Sequence, residues 1–520
     1  MSNSALAAIV IEETLAWGVR DFVICTGARN APLILPLLDA PAPIKLWRHF
    51  DERSAAFFAL GLAKRQRRPV AVVTTSGTAV AELMPAVIEA HYSGIPLVLI
   101  TADRPKRFRS SGAPQAIEQA HLFGAYSEGC FDVEAAEDFP VGFPWNRTRP
   151  IQLNPCFEEP RDEPAAEINW TDALARGAAV FEAPVQPSSF PDPTLLGRFV
   201  ADFDGGAVIL GEIPAADRAE VEHFLEKLAA PVWAEATSGL RESKKLASLL
   251  LPGGDATFRA WQPKKVLRIG GVPSLRYWRD LEEQPGIPVL SVTRTGFPGL
   301  ARGCDTTGWV DFSEMEIPPG STATPEVPEV DDLLSQYVRS EASLMAELSK
   351  IIPENALVFL GNSLPIREWN LAASQEIAHA NVFANRGANG IDGEISTFLG
   401  LSEGEGESWG IFGDLTTLYD SNAPWVMDQL SSGKRRIVII NNGGGRIFSR
   451  MPALGGVDEK GRQLTENRHQ IDFSAWATLW SLEHQRGIAE SPGELAAHAV
   501  IEIVPDEADT EGFWKAYARR

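Results

Sequence analysis

The chain has 520 residues, of which 44% are hydrophobic and 22% charged, a balance typical of a soluble globular protein with several domains. Its net charge of −22 argues against nonspecific binding to nucleic acid or to an anionic membrane, because both need an exposed basic surface. No apolar stretch is as long as a membrane span, and Glu12 and Glu13 interrupt the apolar run near the N-terminus. We therefore expect neither membrane insertion nor a signal peptide.

The first third of the chain alternates between helical and strand patterns. Helical periodicity covers residues 4–17, 52–64 and 78–90, and short apolar runs predict strands at 22–25, 46–50, 70–75 and 97–101. Such alternation predicts a parallel sheet covered by helices on both faces. We assign residues 1–180 to this first domain.

Two further blocks with the same alternation follow. Proline-rich residues 181–194 and the proline-, serine- and acid-rich residues 317–332 are typical of linkers, and they bound a central domain at 195–316 and a third domain at 333–520. Strands are predicted at 207–210, 232–234, 266–269 and 289–292, and then at 357–360, 382–384, 410–412, 437–440 and 501–504. The sequence therefore predicts three tandem α/β domains, each built on a parallel sheet.

The four cysteines lie far apart and have no metal-ligand spacing (Cys25, Cys130, Cys156 and Cys304). This pattern favours free thiols in a reducing compartment, so we expect a cytoplasmic protein.

Polar residues follow two of the predicted strands of the third domain. Asp414 comes directly after one strand, and Asn441 and Asn442 come directly after the next, beside a run of glycines. A carboxylate and an amide at neighbouring strand ends can share one hard cation, and glycines let the backbone approach phosphate oxygens. The pattern predicts a site for Mg²⁺ and a diphosphate.

Other strand ends carry weaker signals. Asp51 and Glu52 stand where a strand gives way to a helix, and helix capping is the more common role for such a pair. The turns at 26–30 and 75–78 are small-residue turns that could meet a ligand or could simply be tight. Arginines at strand ends favour a cleft for anionic substrates: Arg29, Arg104, Arg367 and Arg386.

Taken together, these segments resemble the MenD family of thiamine-diphosphate-dependent enzymes. The resemblance is carried by the motifs DERS at 51–54, TSGTAV at 75–80, TADRP at 101–105, SGAPQAI at 111–117, GNSL at 361–364 and NRGANGIDG at 385–393. It spans nearly the whole chain and is weakest in the central domain. It implies an N-terminal pyrimidine-binding domain, a central domain and a C-terminal diphosphate-binding domain.

The family's activity gives the expected reaction. The enzyme would decarboxylate 2-oxoglutarate on thiamine diphosphate and add the succinyl carbanion to isochorismate, giving 2-succinyl-5-enolpyruvyl-6-hydroxy-3-cyclohexene-1-carboxylate for menaquinone biosynthesis. Mg²⁺ or Mn²⁺ would hold the cofactor. A homodimer or homotetramer with active sites between subunits would be the active form.

The resemblance also implies roles for individual residues. Glu52 matches the family's catalytic glutamate, which hydrogen-bonds to the aminopyrimidine of the cofactor. Asp414 and Asn442 match the side-chain metal ligands and Gly444 the carbonyl ligand, with Asn441 as the neighbouring alternative. Further cofactor contacts are implied for Thr75, Gly413 and Leu415, and substrate contacts for Arg29, Arg104, Gln115, Arg276, Ser363, Arg367 and Arg386.

Two residues depart from the family pattern and affect the substrate side. Ala28 replaces a common serine, and Pro114 replaces an asparagine and removes a backbone donor. Two alternative functions also stay open. One is a thiamine-dependent decarboxylase or carboligase for other 2-oxo acids, and the other is a relative that binds the cofactor without catalysis. A nicotinamide dehydrogenase is disfavoured, since no Gly-x-Gly-x-x-Gly motif opens a helix after the first strand.

Overall fold

The computed structural model describes residues 2–161, 164, 166–182, 190–317, 325, 327, 329–451, 453–454, 456–488 and 492–520. Most of the two predicted linkers, at 183–189 and at 318–324, 326 and 328, lies outside these described residues. The chain forms two compact units. Unit 1 comprises Met1–Gln186, Asp392–Gly404 and Asp420–Ser432, and unit 2 comprises Pro187–Ile391, Glu405–Tyr419 and Gly433–Arg520.

Unit 1 is built on a six-stranded sheet in the order β2-β1-β3-β4-β6-β5, in which all pairs are parallel. Its strands are β1 (Asp21–Cys25), β2 (Lys45–His49), β3 (Val70–Thr74), β4 (Leu97–Thr101), β5 (Cys130–Val133) and β6 (Ile151–Pro155). Its helices are α1 (Asn3–Ala16), α2 (Ala31–Leu37), α3 (Glu52–Gln66), α4 (Thr78–Ala81), α5 (Met84–Ser93), α6 (Trp170–Glu182) and α14 (Glu394–Leu401). β1, β3, β4 and β6 are buried at every position, as expected for strands covered on both faces.

Two helices of unit 1 pack at backbone contact distance. A Cβ added at Gly61 of α3 would lie 2.1 Å from the carbonyl oxygen of Thr397 in α14, and one added at Gly400 would lie 2.2 Å from that of Phe58. Only glycine permits this approach, because any larger residue would separate the helices. The contact fixes α3, the helix that begins at Glu52.

Unit 2 contains two parallel sheets. The first has the strand order β11-β10-β9-β7-β8, and the second has the order β13-β12-β14-β15-β17-β16. The strands of the first are β7 (Gly206–Leu210), β8 (Val232–Ala234), β9 (Lys265–Ile269), β10 (Val289–Val292) and β11 (Asp305–Thr307). The strands of the second are β12 (Leu357–Leu360), β13 (Val382–Phe383), β14 (Glu407–Gly413), β15 (Lys434–Ile440), β16 (Glu483–Arg486) and β17 (His498–Ile503).

The helices of unit 2 surround these sheets. Those before β12 are α7 (Pro193–Val200), α8 (Arg218–Leu228), α9 (Asp255–Ala260), α10 (Arg276–Asp280), α11 (Asp331–Gln336) and α12 (Glu341–Ile351). Those after it are α13 (Leu364–Ala372), α15 (Asp414–Tyr419), α16 (Glu459–Glu466), α17 (Ser474–Leu479) and α18 (Glu507–Tyr517).

The strand order places a crevice in the second sheet of unit 2. β12 and β14 are neighbours in the sheet. The next strand in the chain after β12, which is β13, lies on the side of β12 away from β14, whereas the next strand after β14, which is β15, lies on the side of β14 away from β12. Ligands of open α/β sheets bind beyond the carboxyl ends of the strands at such a reversal. The segments after β12 and β14 begin with Gly361 and Asp414, so the reversal lies beside the predicted metal ligand.

The structure confirms three α/β domains with parallel sheets and all of the predicted strands. The helix predicted over 78–90 is wrong in one respect, because it is divided into α4 and α5. Pro85 lies in the first turn of α5, where its missing N–H costs nothing, and it begins a new helix rather than continuing α4. The strands β5, β6, β11 and β16 were not predicted.

Candidate active site

Asp414 is held by backbone groups at the end of β14. Its Oδ2 accepts hydrogen bonds from the N–H groups of Gly443 (2.8 Å) and Gly444 (2.9 Å), and its Oδ1 accepts one from Leu415 N–H (2.6 Å). Burial raises the pKa of the Asp414 carboxyl, while these donors and nearby His469 favour the ionised form. The carboxylate is therefore fixed in position and only 2% exposed.

The neighbouring asparagines have different surroundings. The Nδ2 of Asn441 donates to the carbonyl of Ile471 (2.8 Å) and to Glu502 Oε1 (2.6 Å). The Nδ2 of Asn442 donates to both carboxylate oxygens of Glu341, at 3.1 and 3.2 Å. The Oδ1 of Asn442 is buried and has no hydrogen-bond partner among the described residues.

Glycines shape the loop that follows. Gly444 has a φ of +134°, and a Cβ there would lie 2.5 Å from the carbonyl oxygen of Glu466. His469, which the sequence gave no reason to select, places its Nε2 3.3 Å from Asp414 Oδ2. The Gly444 carbonyl accepts a hydrogen bond from Arg446 N–H at 2.9 Å. A carboxylate and an unpartnered amide oxygen are the donor types that suit a hard divalent cation.

Asn442 also lines a cavity of about 830 Å³ in unit 2. The same cavity is lined by Arg276 and Arg367, so two predicted substrate residues and one predicted metal ligand share its wall. Arg259, Arg279, Arg446, Arg450, Arg462 and Lys515 add further positive charge. The wall also carries acids, and Arg446 pairs with two of them, Glu466 at 3.3 Å and Glu507 at 2.8 Å. The acids of the wall are Asp255, Glu341, Glu466, Glu507 and Glu511. Because cationic side chains outnumber these acids, the cavity suits anionic ligands.

The predicted substrate residues near this cavity are already connected to one another. Ser363 has a φ of +68°, and its carbonyl accepts a hydrogen bond from Arg367. Arg386 donates to Asn362 Oδ1 at 2.9 Å and does not belong to the described cavity lining, nor does Ser363. Burial and the neighbouring charge of Arg386 lower the pKa of Arg367. Adjacent cations favour an anionic partner because it relieves their repulsion.

Glu52 and Asp51 play separate roles at the start of α3. Asp51 caps the helix by accepting from Ser54 N–H at 3.1 Å, as the capping interpretation predicted. Glu52 forms no ion pair with any described side chain. Burial, together with the charges of Asp51 and Glu82, raises its pKa. Unlike Asp51, Glu52 has a carboxyl that is not engaged by another described side chain.

The turns of unit 1 lie close together at the strand reversal between β1 and β3. A Cβ at Gly27 would lie 2.4 Å from Thr75 Cβ, and one at Gly77 would lie 3.2 Å from Gln115 Cα. The buried Gln119 joins these segments, since its Oε1 accepts from Gly77 N–H at 3.1 Å and its Nε2 donates to Thr101 O at 3.2 Å. The predicted residues Thr75 and Gln115 thus belong to one region.

The other two predicted residues of unit 1 already have protein contacts. Arg29 is 5% exposed and donates to the carbonyl of Phe157 (3.0 Å) and to Glu159 Oε2 (2.8 Å). The guanidinium of Arg104 lies 5.5 Å from the ring centroid of Phe108.

A buried network anchors the segment that carries Arg104 and Gln115. Asp103, Asp132 and Cys156 place one ligand atom each within 4.8 Å of one another, a spacing that a metal ion could use. Arg109 fills this space instead, with its Nη2 2.6 Å from Asp132 Oδ1 and 3.0 Å from Asp103 Oδ2. These hydrogen bonds outweigh burial and hold the pKa of Asp132 below its usual range. The network is therefore complete without a metal.

Comparison with known proteins gives the family. Residues 5–122 match the model of the thiamine pyrophosphate enzyme N-terminal TPP binding domain. The 2-succinyl-5-enolpyruvyl-6-hydroxy-3-cyclohexene-1-carboxylate synthase of Bdellovibrio bacteriovorus is 40% identical, over 99% of each chain. The chain belongs to this synthase family. The synthase of Akkermansia muciniphila is 41% identical over 95% of each chain.

A solved structure of low sequence identity has the same fold as this member of the synthase family. An X-ray structure from Mycobacterium smegmatis, described as a thiamin diphosphate-dependent enzyme, superposes with a TM-score of 0.67 at 18% identity. The match covers 97% of this chain and 99% of that one. Among the helices in the described ranges, none is long and apolar enough to span a bilayer.

Proposed function

We propose that this protein decarboxylates 2-oxoglutarate with thiamine diphosphate and transfers the succinyl unit to isochorismate. The product would be 2-succinyl-5-enolpyruvyl-6-hydroxy-3-cyclohexene-1-carboxylate, an intermediate of menaquinone biosynthesis. Relatives that carry this synthase name and match nearly the full chain support the choice of reaction.

The cavity of unit 2 is the observation that carries the proposal. Its wall includes Arg276, Arg367 and Asn442, and the Oδ1 of Asn442 has no hydrogen-bond partner among the described residues. Both proposed substrates are carboxylic acids and the cofactor carries a diphosphate, so all three ligands need cationic partners. Arg276 is paired with Asp280 at 3.0 Å, and Arg367 lies near the charges of Glu235 and Asp255. The arginines therefore prefer an anionic ligand through the number of cations in the wall rather than through a missing counter-charge.

The chain's own residues would divide the work as follows. Asp414, Asn442 and the Gly444 carbonyl hold Mg²⁺ or Mn²⁺, while Gly413, Leu415 and Thr75 contact the cofactor. Glu52 binds the aminopyrimidine and exchanges a proton with it, a task that suits a carboxyl of raised pKa. Bound thiamine diphosphate supplies the electron sink for decarboxylation. The acids are bound by Arg29, Arg104, Gln115, Arg276, Ser363, Arg367 and Arg386.

Assembly and location complete the proposal. A homodimer or homotetramer with active sites between subunits is the proposed active form, which light scattering of the purified protein tests directly. A cytoplasmic location is supported by four cysteines that are all free thiols.

The reaction is tested with purified protein, thiamine diphosphate, Mg²⁺ and 2-oxoglutarate, with and without isochorismate. We expect isochorismate-dependent CO₂ release and a succinyl adduct of isochorismate in the mass spectrum. CO₂ release without an adduct would replace this proposal with a decarboxylase of different acceptor specificity. No consumption of either acid would make the protein a non-catalytic relative.

A further inference from the structure

The amide of Asn442 is held from two sides, and its oxygen is left for a ligand. Its Nδ2 donates to both oxygens of Glu341, at 3.1 and 3.2 Å. Its main-chain carbonyl accepts from Arg446 Nε at 3.0 Å. The remaining polar side-chain atom, Oδ1, is buried and unpartnered within the described part of the chain. Leaving such an oxygen without a partner is costly unless a ligand satisfies it.

Glu341 is itself held in place. It is the first residue of α12 and is 2% exposed. Its backbone N–H donates to Thr510 Oγ1 at 3.1 Å, and Arg450 Nη2 lies 3.9 Å from its Oε2. The Arg450 guanidinium is in turn stacked 4.1 Å from the ring centroid of Trp514. In this arrangement the NH₂ group of Asn442 faces both Glu341 oxygens, so the amide oxygen is turned away from Glu341.

From these contacts we infer that Glu341 is a positioning residue that aims the Asn442 amide oxygen at the metal. The inference rests on the proposed function, because it takes Asn442 as a metal ligand. Without an acceptor at this position, the amide could rotate by half a turn and present its NH₂ group to the cation. Partners of metal ligands usually contribute about 10- to 100-fold to metal affinity.

The adjacent Asn441 supplies a matched control. Its Nδ2 donates to another buried carboxylate, Glu502, at 2.6 Å. Glu502 is 1% exposed and also contacts His484, at 2.9 Å. The two glutamates thus hold neighbouring asparagines in the same way, but only Asn442 has a buried and unpartnered oxygen.

The test measures metal binding directly. Mn²⁺ binding is followed by electron paramagnetic resonance, with thiamine diphosphate present, for the full-length wild type, Glu341→Gln and Glu502→Gln. Glutamine can donate to Asn442 Oδ1 and so withdraw it from the metal. We expect Glu341→Gln to weaken Mn²⁺ binding by about 10-fold or more, and Glu502→Gln to change it less than about 2-fold. Equal affinity in wild type and Glu341→Gln would overturn the inference, as would equal losses in both variants.

Exchanging the carboxyl and amide groups between positions 341 and 442 distinguishes a loss of positioning from a variant that folds poorly. Asn442→Asp alone places two carboxylates side by side and should bind Mn²⁺ weakly. In the double variant Glu341→Gln with Asn442→Asp, the new glutamine can donate to the new aspartate and leave its second oxygen for the metal. We expect the double variant to bind Mn²⁺ more tightly than Asn442→Asp, and no recovery would count against the inference. A wild-type protein that binds no Mn²⁺ with the cofactor would instead refute the metal site of the proposed function.

Discussion

At the scale of single residues, Asn441 and Asn442 are adjacent but differ in what surrounds them. The sequence predicted that an asparagine here would accompany Asp414, since both follow buried strands. Asn442 donates to Glu341, which is 101 residues away in the chain, and Asn441 donates to Glu502, which is 61 residues away. No local pattern marks either glutamate as a partner, and His469 likewise becomes a neighbour of Asp414 only through folding. Side chains that act through distant contacts therefore could not be predicted.

Replacing each asparagine by alanine separates the two roles. Asn442→Ala removes the unpartnered oxygen that we propose as a metal ligand, so the Mg²⁺ concentration for half-maximal activity should rise about 10-fold or more. Asn441→Ala removes a structural hydrogen bond and should lower the melting temperature while leaving the Mg²⁺ requirement within about 2-fold. Mg²⁺ titrations at saturating cofactor measure both. The opposite pattern would make Asn441 the metal ligand.

Glu52→Gln tests the proton exchange. Glutamine keeps the size of the side chain but cannot exchange a proton, so turnover should fall by about 10²- to 10⁴-fold. Thiamine diphosphate should still bind, as measured by quenching of tryptophan fluorescence. Glu354→Gln, which changes an exposed carboxylate, serves as the control and should retain full activity. Normal turnover in Glu52→Gln would remove this residue from the proposed mechanism.

At the scale of elements, the packing of α3 against α14 decides where Glu52 stands. The sequence predicted α3 well because its periodicity and its Asp51 cap are local. It could not predict the partner helix. The contact depends on Gly61 and Gly400, and in the sequence alone a glycine within a helix indicates only a weaker helix, not a close contact with another helix. A close helix crossing is visible only when both helices are in place.

Gly61→Ala should destabilise this crossing. The new Cβ would meet the Thr397 carbonyl at 2.1 Å, and backbone cannot move aside as a flexible side chain can. We expect a loss of about 1–3 kcal/mol, seen as a lower melting temperature and faster hydrogen exchange in α14. Gly129→Ala is the matched control, since a Cβ there meets nothing within 4 Å. Equal stability of Gly61→Ala and wild type would show that the helices can separate without cost.

Asp420 makes the same region sensitive to pH. Its carboxyl accepts from Ser54 Oγ (3.1 Å) and from Ser396 N–H (2.7 Å), and burial raises its pKa to about 6 from the ordinary 3.8. Because the folded-state pKa is raised, the stabilisation is complete below about pH 4 and is lost as the pH rises through about 6. One pKa unit corresponds to about 1.4 kcal/mol, so the change is roughly 3 kcal/mol.

The measurement compares wild type with Asp420→Asn, which cannot titrate. Hydrogen exchange of α14 is recorded for both proteins at each pH, so that the intrinsic exchange chemistry cancels. We expect the wild type to lose protection relative to the variant between pH 4 and 8. A constant difference over this range would mean that Asp420 has an ordinary pKa.

At the scale of the whole molecule, most strands of the three sheets could be predicted because buried parallel strands are continuous apolar runs. Four strands were missed, and three of them, β5, β11 and β16, are only partly buried and so have no continuous apolar run. What could not be predicted is that residues 392–404 and 420–432 cluster with the N-terminal unit while the strands on either side of them belong to unit 2. The assignment of these two segments to unit 1 depends on packing between residues that are far apart in the sequence. No linker-like composition at their ends indicates it. The linear domain boundaries drawn from the sequence remain predictions.

A fragment ending at residue 182 tests this arrangement. It contains every strand of the first sheet but lacks α14, so the α3 face around Phe58 and Gly61 is uncovered. We expect the fragment to aggregate or to exchange the amides of α3 rapidly, even with the linker removed. Limited proteolysis and hydrogen exchange measure this. A stable monomeric fragment with protected α3 amides would show that α14 is dispensable for the fold.

The crossing of Gly61 and Gly400 also sets an order of events during synthesis. Helix α3 ends at Gln66 and its partner begins at Glu394, so the partner follows only after roughly 330 further residues, which take on the order of 15–65 s at about 5–20 residues per second. Throughout that interval the glycine face of α3 has no native cover. A nascent chain that stalls before residue 392 would be left permanently with this face open, and so would be a substrate for chaperones or proteases.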